Sequence, residues 1–259
     1  MRYLRFLDDG RPALGRLQGD TIEVLDGGLF DTHRACGRRV PLAGAHLLPP
    51  VVPGTFYAAG VNYHRHLQAV SARKGVPFRL PDMNHIGYRA NSALVGHGTP
   101  VVVPRDSSGR LQFEGELVVV IGKGGRHITA RDALSHVFGY TIGNDVSERQ
   151  WQDADRTLWR AKNADTFKPM GPWIETEVDL DAMHTTVRLN GQEVSRFKTR
   201  EMVFGIEDTI AEISRYITLS PGDVLWMGTD EPTLDMVATD QVEVEIDGIG
   251  VLANRLVAE

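Results

Sequence analysis

The chain predicts an α+β protein with a large β core, preceded by a small β-rich N-terminal domain. Three observations carry this. Short β-branched or apolar runs bounded by Gly, Asn and Asp recur along most of the 259 residues, which is the pattern of strands. Two dipeptides, Asn190-Gly191 and Asp247-Gly248, fall between such runs and signal tight hairpins. Helical spacing is clearest at Ile206, Ile210, Ile213 and Ile217, which define one apolar face.

In chain order, Leu4–Leu7, Leu14–Leu17 and Thr21–Leu25 are short strand candidates, and Gly19-Asp20 turns the last two into a hairpin. Leu48-Pro-Pro-Val-Val-Pro53 is an extended linker, because proline disfavours helix and sheet interiors. It sets a small domain over residues 1–50 and a larger one over 51–259. Segment 69–84, rich in Lys, Arg and Pro, predicts a mobile loop. Thr99–Pro104, Leu111–Ile121 and Phe138–Asp145 follow as strands, and Thr129-Ala-Arg-Asp132 has the cap and acidic position of a helix start. Thr186–Leu189 pairs with Glu193–Phe197, and Gln241–Ile246 with Val251–Leu256, across the two dipeptide turns.

Composition narrows the class. Hydrophobic content of 42% and charged content of 24% are ordinary for a globular chain. A net charge of −6 argues against nucleic-acid binding, which needs clustered Lys and Arg. Cys36 is the only cysteine, so no intrachain disulfide forms, as fits a reducing compartment. The N-terminal residues carry charges throughout, and no apolar run approaches the length of a membrane span. The expectation is a cytoplasmic protein.

The candidate chemistry lies in three carboxylates. Glu114 and Glu116 are two apart at the head of Leu117-Val-Val-Val-Ile121, and alternate residues of a strand share a face. On spacing alone, a Glu-x-Glu pair is usually the solvent face of an antiparallel sheet. Residues 117–121, however, do not alternate with polar ones, which predicts a strand buried on both faces. Asp145 ends a second apolar segment, where a plain turn is the competing reading. Two carboxylates on one buried face repel unless a cation lies between them, and three hard oxygen donors suit Mg²⁺, Mn²⁺ or Ca²⁺.

The segments Ala59-Gly-Val-Asn-Tyr-His-Arg-His66, Ser92-Ala-Leu-Val-Gly96, Phe113-Glu-Gly-Glu-Leu117, Gly139-Tyr-Thr-Ile-Gly-Asn-Asp-Val-Ser147, Asp165-Thr-Phe-Lys-Pro-Met-Gly-Pro-Trp173, Leu219-Ser-Pro-Gly-Asp-Val224 and Met227-Gly-Thr229, in this order, resemble the fumarylacetoacetate hydrolase family. The resemblance covers roughly residues 55–259. It implies a mixed β-roll catalytic fold, a homodimer, and a divalent cation held by Glu114, Glu116 and Asp145. It also implies a 2-oxo acid or 1,3-dicarbonyl acid as substrate. Hydrolysis of a carbon–carbon bond is the first expectation; hydration, decarboxylation or isomerisation of 2-oxo-alkenoic acids in aromatic catabolism is the alternative. A non-catalytic, metal-dependent oxo-acid binder is the reading from another class.

The same resemblance assigns roles. His66 falls at the family's proton-transfer histidine, and imidazole titrates near neutrality. Lys162, in Lys-Asn-Ala-Asp-Thr-Phe167, falls at the lysine that stabilises an enolate or oxyanion. Thr229 is expected to bind the substrate carboxylate. Arg89 stands where many members carry lysine, and with Tyr63, Arg149 and Gln152 completes the expected substrate contacts. One departure stands out: several members place a glutamate one turn after the histidine, and here that position is Ala69.

Overall fold

The two dipeptide turns form as their chemistry requires. In the computed structural model, which describes residues 1–259, Asn190 and Gly191 take φ of 53° and 79° between the His184–Leu189 and Gln192–Lys198 strands. A type I′ turn needs positive φ at both positions. The Gln241–Ile246 and Gly250–Ala258 strands pair antiparallel around Asp247-Gly248. With Val101–Val103 these four strands form a five-stranded sheet.

The main sheet has twelve strands. Its path runs through strands beginning at Arg34, Thr21, Arg11, Arg2, Lys168, Val137, Gly115, Val224, Phe56 and His85. The N-terminal β-region keeps its own cluster of Leu4, Phe6, Ile22, Val24 and Leu47. It is nevertheless continuous with the larger unit, because Arg2 pairs with Glu175 and Tyr3 with Ile174 at the sheet's joint.

The Gly115–Ile121 strand is the centre of the molecule. Leu117, Val119 and Ile121 enter the largest core cluster, shared with Val187, Val242 and Val244 of the five-stranded sheet. Val118 and Val120 enter a second cluster on the opposite face, with Val224, Trp226, Met170 and Ile174. Its non-alternating sequence therefore follows from burial on both faces, each such side chain contributing about 1.5–3 kcal/mol. Glycine is needed beside it at Gly143, where a Cβ would lie 2.6 Å from the Trp226 ring. Ile206, Ile210 and Ile213 of the Ile206–Tyr216 helix pack into the first cluster, whereas Ile217 falls just past the helix end.

Three elements differ from the sequence expectation, each for a local reason. Leu111–Ile121 is not one strand: Leu111–Gln112 joins a separate three-stranded sheet, and the central strand begins only at Gly115. Between them the Glu114 N–H donates to the Asn144 side chain at 2.9 Å, and the Glu114 carbonyl accepts from Asp145 N. Side-chain and turn contacts thus replace the ladder there. Thr129–Asp132 leads only into a 3₁₀ turn at Ala133–His136. The start of the expected 69–84 loop is helix, whereas 75–84 hold neither helix nor strand; α1 spans His64–Lys74 and ends at Gly75 with φ 64°. Its only fully buried residue is His66, so there was no apolar stripe to reveal it. No helix is long and apolar enough to cross a membrane.

Candidate active site

Glu114, Glu116 and Asp145 are all buried, and each offers a carboxylate oxygen within 4.8 Å of the others. Two oxygens bound to one ion at about 2.1–2.4 Å are at most about 4.8 Å apart. The donor set therefore fits a hard divalent cation. The three residues sit where the main sheet opens: Glu114 just before the central strand, Glu116 in it, and Asp145 just after Val137–Asn144.

Charge around the cluster is unevenly shared. Asp145 meets Arg89 in a fork, Nε to Oδ1 at 3.1 Å and Nη2 to Oδ2 at 2.8 Å. It also meets Lys162 Nζ at 2.9 Å and Lys168 Nζ at 2.7 Å. Burial alone would raise its pKa, but Arg89, Lys162 and Lys168 outweigh this and hold it well below the usual carboxylate range. Glu114 receives Lys162 Nζ at 2.5 Å and lies 2.7 Å from Arg149 Nη2. Against the upward push of burial, these two cations lower it to about 2.

Glu116 is different. Its one hydrogen bond comes from the Gly228 N–H, at 2.8 Å, and no lysine or arginine forms an ion pair with it. Burial first, then Asp145 and Glu114, push it well above the ordinary value. The cluster lacks positive charge at this carboxylate, which is where a bound cation would supply it. Gly228 reaches Glu116 because it adopts φ 89°, a left-handed conformation that favours glycine.

A cavity of about 600 Å³ opens over the cluster. His66, in the first turn of α1, lines it, and Asp230 Oδ1 accepts the otherwise free His66 N–H at 3.2 Å. The ring Nδ1 lies 2.7 Å from Glu231 Oε1. A carboxylate only accepts, so Nδ1 carries the hydrogen and Nε2 is left for chemistry. Burial raises the Glu231 carboxyl, but the hydrogen bond and charge of His66 lower it overall. Glu231, rather than a residue at position 69, therefore orients the ring.

The other expected residues are placed as follows. Lys162 is presented by α3 (Trp159–Asn163) and bridges Glu114 and Asp145. Thr229 and Gln152 line the cavity. Arg149 opens α2 (Arg149–Ala154) and donates through Nε to Gln112 and through Nη1 to Gln152. The Arg89 guanidinium is engaged on Asp145 and the Tyr88 carbonyl, so it positions a metal-type ligand. The Tyr63 hydroxyl donates to the Thr199 carbonyl at 2.5 Å, and its ring is outside the cavity lining. Two site residues escaped the sequence reading: Glu231, and Lys168, which is fully buried at the start of the Lys168–Glu175 strand. A lysine leading an apolar strand was the available signal for the second. Burial, against the pull of Asp145, lowers Lys168 to about 7.

The fold and this acidic, cation-lined cavity define an enzyme whose buried carboxylate cluster suits a divalent metal. The fumarylacetoacetate hydrolase C-terminal profile matches residues 55–257, and the chain belongs to that family. A second profile, Rv2993c-like N-terminal, matches residues 1–50. Human mitochondrial oxaloacetate tautomerase FAHD2A is 34% identical, covering 95% of this chain and 81% of its own. The crystal structure of 5-carboxymethyl-2-hydroxymuconate delta-isomerase from Mycobacterium smegmatis is similar at TM-score 0.90 and 33% identity, over 100% of both chains. Maleylpyruvate hydrolase from Sphingobium sp. SYK-6, solved with manganese(II) and pyruvate, matches at TM-score 0.80 and 29% identity, over 100% of this chain and 99% of its own.

Proposed function

We propose that this enzyme moves a proton between carbon and oxygen of a 2-oxo acid, as a divalent-cation-dependent tautomerase or isomerase. The observation that carries the reading is the single oriented acid–base group, His66 on Glu231, facing a carboxylate cluster bridged by Lys162. The names of the relatives, a tautomerase and an isomerase, also support it. Carbon–carbon hydrolysis, the first expectation from sequence, takes second place to this alternative.

A divalent cation, when bound by Glu114, Glu116 and Asp145, supplies the charge that polarises the 2-oxo carbonyl. Mg²⁺ or Mn²⁺ suits the all-oxygen donors. His66 Nε2 takes or returns the proton at the carbon next to that carbonyl. Lys162 places a buried ammonium where negative charge grows on the enolate oxygen, and does so without reorganisation. Glu231 holds the imidazole in one tautomer and stabilises it when charged. Thr229, buried at the cavity wall, offers a hydroxyl to the substrate carboxylate.

The test is ketonisation of enol-oxaloacetate, followed by its ultraviolet absorbance, alongside cleavage of an acylpyruvate. Expected is catalysed ketonisation that a chelator abolishes and that His66→Ala slows about 10²–10⁴-fold, with slower or no cleavage. Cleavage outrunning ketonisation would return the assignment to a hydrolase. A protein that binds Mn²⁺ and oxo acid without turnover would be the non-catalytic binder.

A further inference from the structure

We infer that Lys168 sets which divalent cation this site prefers, by leaving Asp145 only one oxygen to offer it. The inference rests on the carboxylate cluster as a cation site and not on the reaction assigned to it. Four cations pair with Glu114 and Asp145. Arg89, Arg149 and Lys162 line the cavity, and Lys168 does not. Its side chain is fully buried at the head of the Lys168–Glu175 strand, where it meets neither solvent nor substrate. A buried ammonium is costly to desolvate, and an apolar side chain would fill the same space without that cost. Its contacts show what it does there.

Lys168 Nζ reaches Asp145 Oδ1 at 2.7 Å and donates to the Val146 and Phe167 carbonyls, each at 2.9 Å. An ammonium has three hydrogens to give, so all are spent. The Phe167 carbonyl also accepts the Val146 N–H at 3.1 Å, which ties the box to the backbone just after Asp145. The two Asp145 oxygens consequently differ. Oδ1 faces Lys168, whereas Oδ2 and Glu114 Oε2 are the pair bridged by Lys162. Lys162 lines the cavity and has space to turn off Oδ2 when another cation arrives. Lys168, enclosed by carbonyls, has none. Arg89 spans both oxygens through Nε and Nη2, so it does not tell them apart.

One oxygen from Asp145 favours a small ion. Mg²⁺ takes about six oxygens at about 2.0–2.1 Å, and single carboxylate oxygens with waters satisfy it. Ca²⁺ takes about six to eight at about 2.3–2.6 Å, and commonly fills the extra positions with both oxygens of a carboxylate. With Oδ1 held by Lys168, Asp145 has no second oxygen to give. A lysine that merely braced the turn would instead change the affinity for both ions alike.

The experiment has two arms on the full chain. In the first, crystals of the unmodified protein are soaked separately with Mn²⁺ and Ca²⁺. Expected in both is an ion on Asp145 Oδ2 alone, with Lys168 still on Oδ1. An ion held through Oδ1, or through both oxygens, would overturn the inference. In the second arm, calorimetry measures Mg²⁺ and Ca²⁺ binding to the unmodified protein and to Lys168→Met, whose folding is checked by its melting profile. This substitution keeps the stem and removes the donors. Expected is a Ca²⁺-to-Mg²⁺ affinity ratio that rises about 10–100-fold, the scale of a contact that orients a metal ligand. An unchanged ratio, with both affinities moving together, would make Lys168 a brace and overturn the inference. If Lys168→Met does not fold, the crystals decide. Failure of the unmodified protein to bind any of these ions would remove the cation site and the inference with it. The expected cation binding without catalysed ketonisation would sink the reaction proposed above and leave this inference standing.

Discussion

Removing the Glu231 carboxylate tests how His66 is held. The pair is 2.7 Å apart, with the His66 side chain 9% and Glu231 22% exposed. A hydrogen bond to a charged group contributes about 1.5–3 kcal/mol, and partial solvent access places this one at the lower end. If it is realised mainly when the ring becomes charged in the transition state, Glu231→Ala lowers kcat about ten- to thirtyfold. Glu231→Gln keeps one acceptor oxygen for Nδ1–H but sets an NH2 where Oε2 now accepts the Thr233 N–H, so its loss is smaller than that of the alanine variant but not nil, about three- to tenfold. KM and Mn²⁺ affinity change little in either variant, because Glu231 touches neither the carboxylate cluster nor Lys162. The decisive variant is Ala69→Glu in the Glu231→Ala background. Ala69 is exposed and three residues after His66 on α1, close enough for a glutamate there to reach the ring. Enol ketonisation kinetics read all four proteins. Unchanged kcat in Glu231→Ala would refute the positioning role. A loss of kcat that tracks lost Mn²⁺ affinity, with no recovery from Ala69→Glu, would reduce Glu231 to a structural residue.

Three further outcomes follow from buried and paired charges, two in the cavity and one at the joint with the N-terminal strands. Glu116→Gln removes a buried carboxylate that no Lys or Arg pairs with directly, so the metal-free protein becomes more heat-stable, while the stabilisation added by cation disappears; in the unmodified protein a cation at 100-fold its Kd adds about 2.7 kcal/mol, roughly 5–11 °C of Tm, and a normal metal-dependent shift in Glu116→Gln would refute the ligand assignment. Lys162→Met keeps the stem and loses the charge; kcat and kcat/KM fall together about 10²–10³-fold, whereas a raised KM at unchanged kcat would make Lys162 a ground-state anchor. Glu175, although burial pushes it up, is lowered overall by its hydrogen bonds to the terminal ammonium, Glu177 N and Arg2. A lowered carboxyl stabilises the fold above its unfolded value near 4.5 and loses that contribution as pH falls through the folded value. The Tm gap between the unmodified protein and Glu175→Gln should therefore close below about pH 4.5, and a gap constant down to pH 3 would show that the charge is idle.

What was legible in the sequence was whatever short-range chemistry fixes. Asn190-Gly191 dictates its turn, the unbroken Leu117–Ile121 run reports burial on both faces, and Ile206, Ile210 and Ile213 mark a packed helix face. The carboxylates were legible because they flank such strands, and the structure gathers Glu114, Glu116, Asp145, His66, Lys162 and Thr229 around one cavity. The break at Phe113–Glu114 was not, since Asn144 and Asp145, thirty residues on, replace the ladder there. Nor was α1, which buries only His66 and so carries no apolar period.

Glu231 shows why a missing residue in one segment does not mean a missing function. Its contact with His66 spans 165 residues of sequence, and nothing local to Ala69 announces it. The two ends meet because Asp230 caps the first turn of α1 and Gly228 turns sharply to donate to Glu116. Those two contacts fix the 228–231 segment against both the helix and the carboxylate cluster. Glu231, three residues after Gly228, then sets its carboxylate against His66 Nδ1. Whatever alters the Gly228 turn should accordingly disturb metal site and proton-transfer residue together, whereas a change at position 69 reaches the histidine alone.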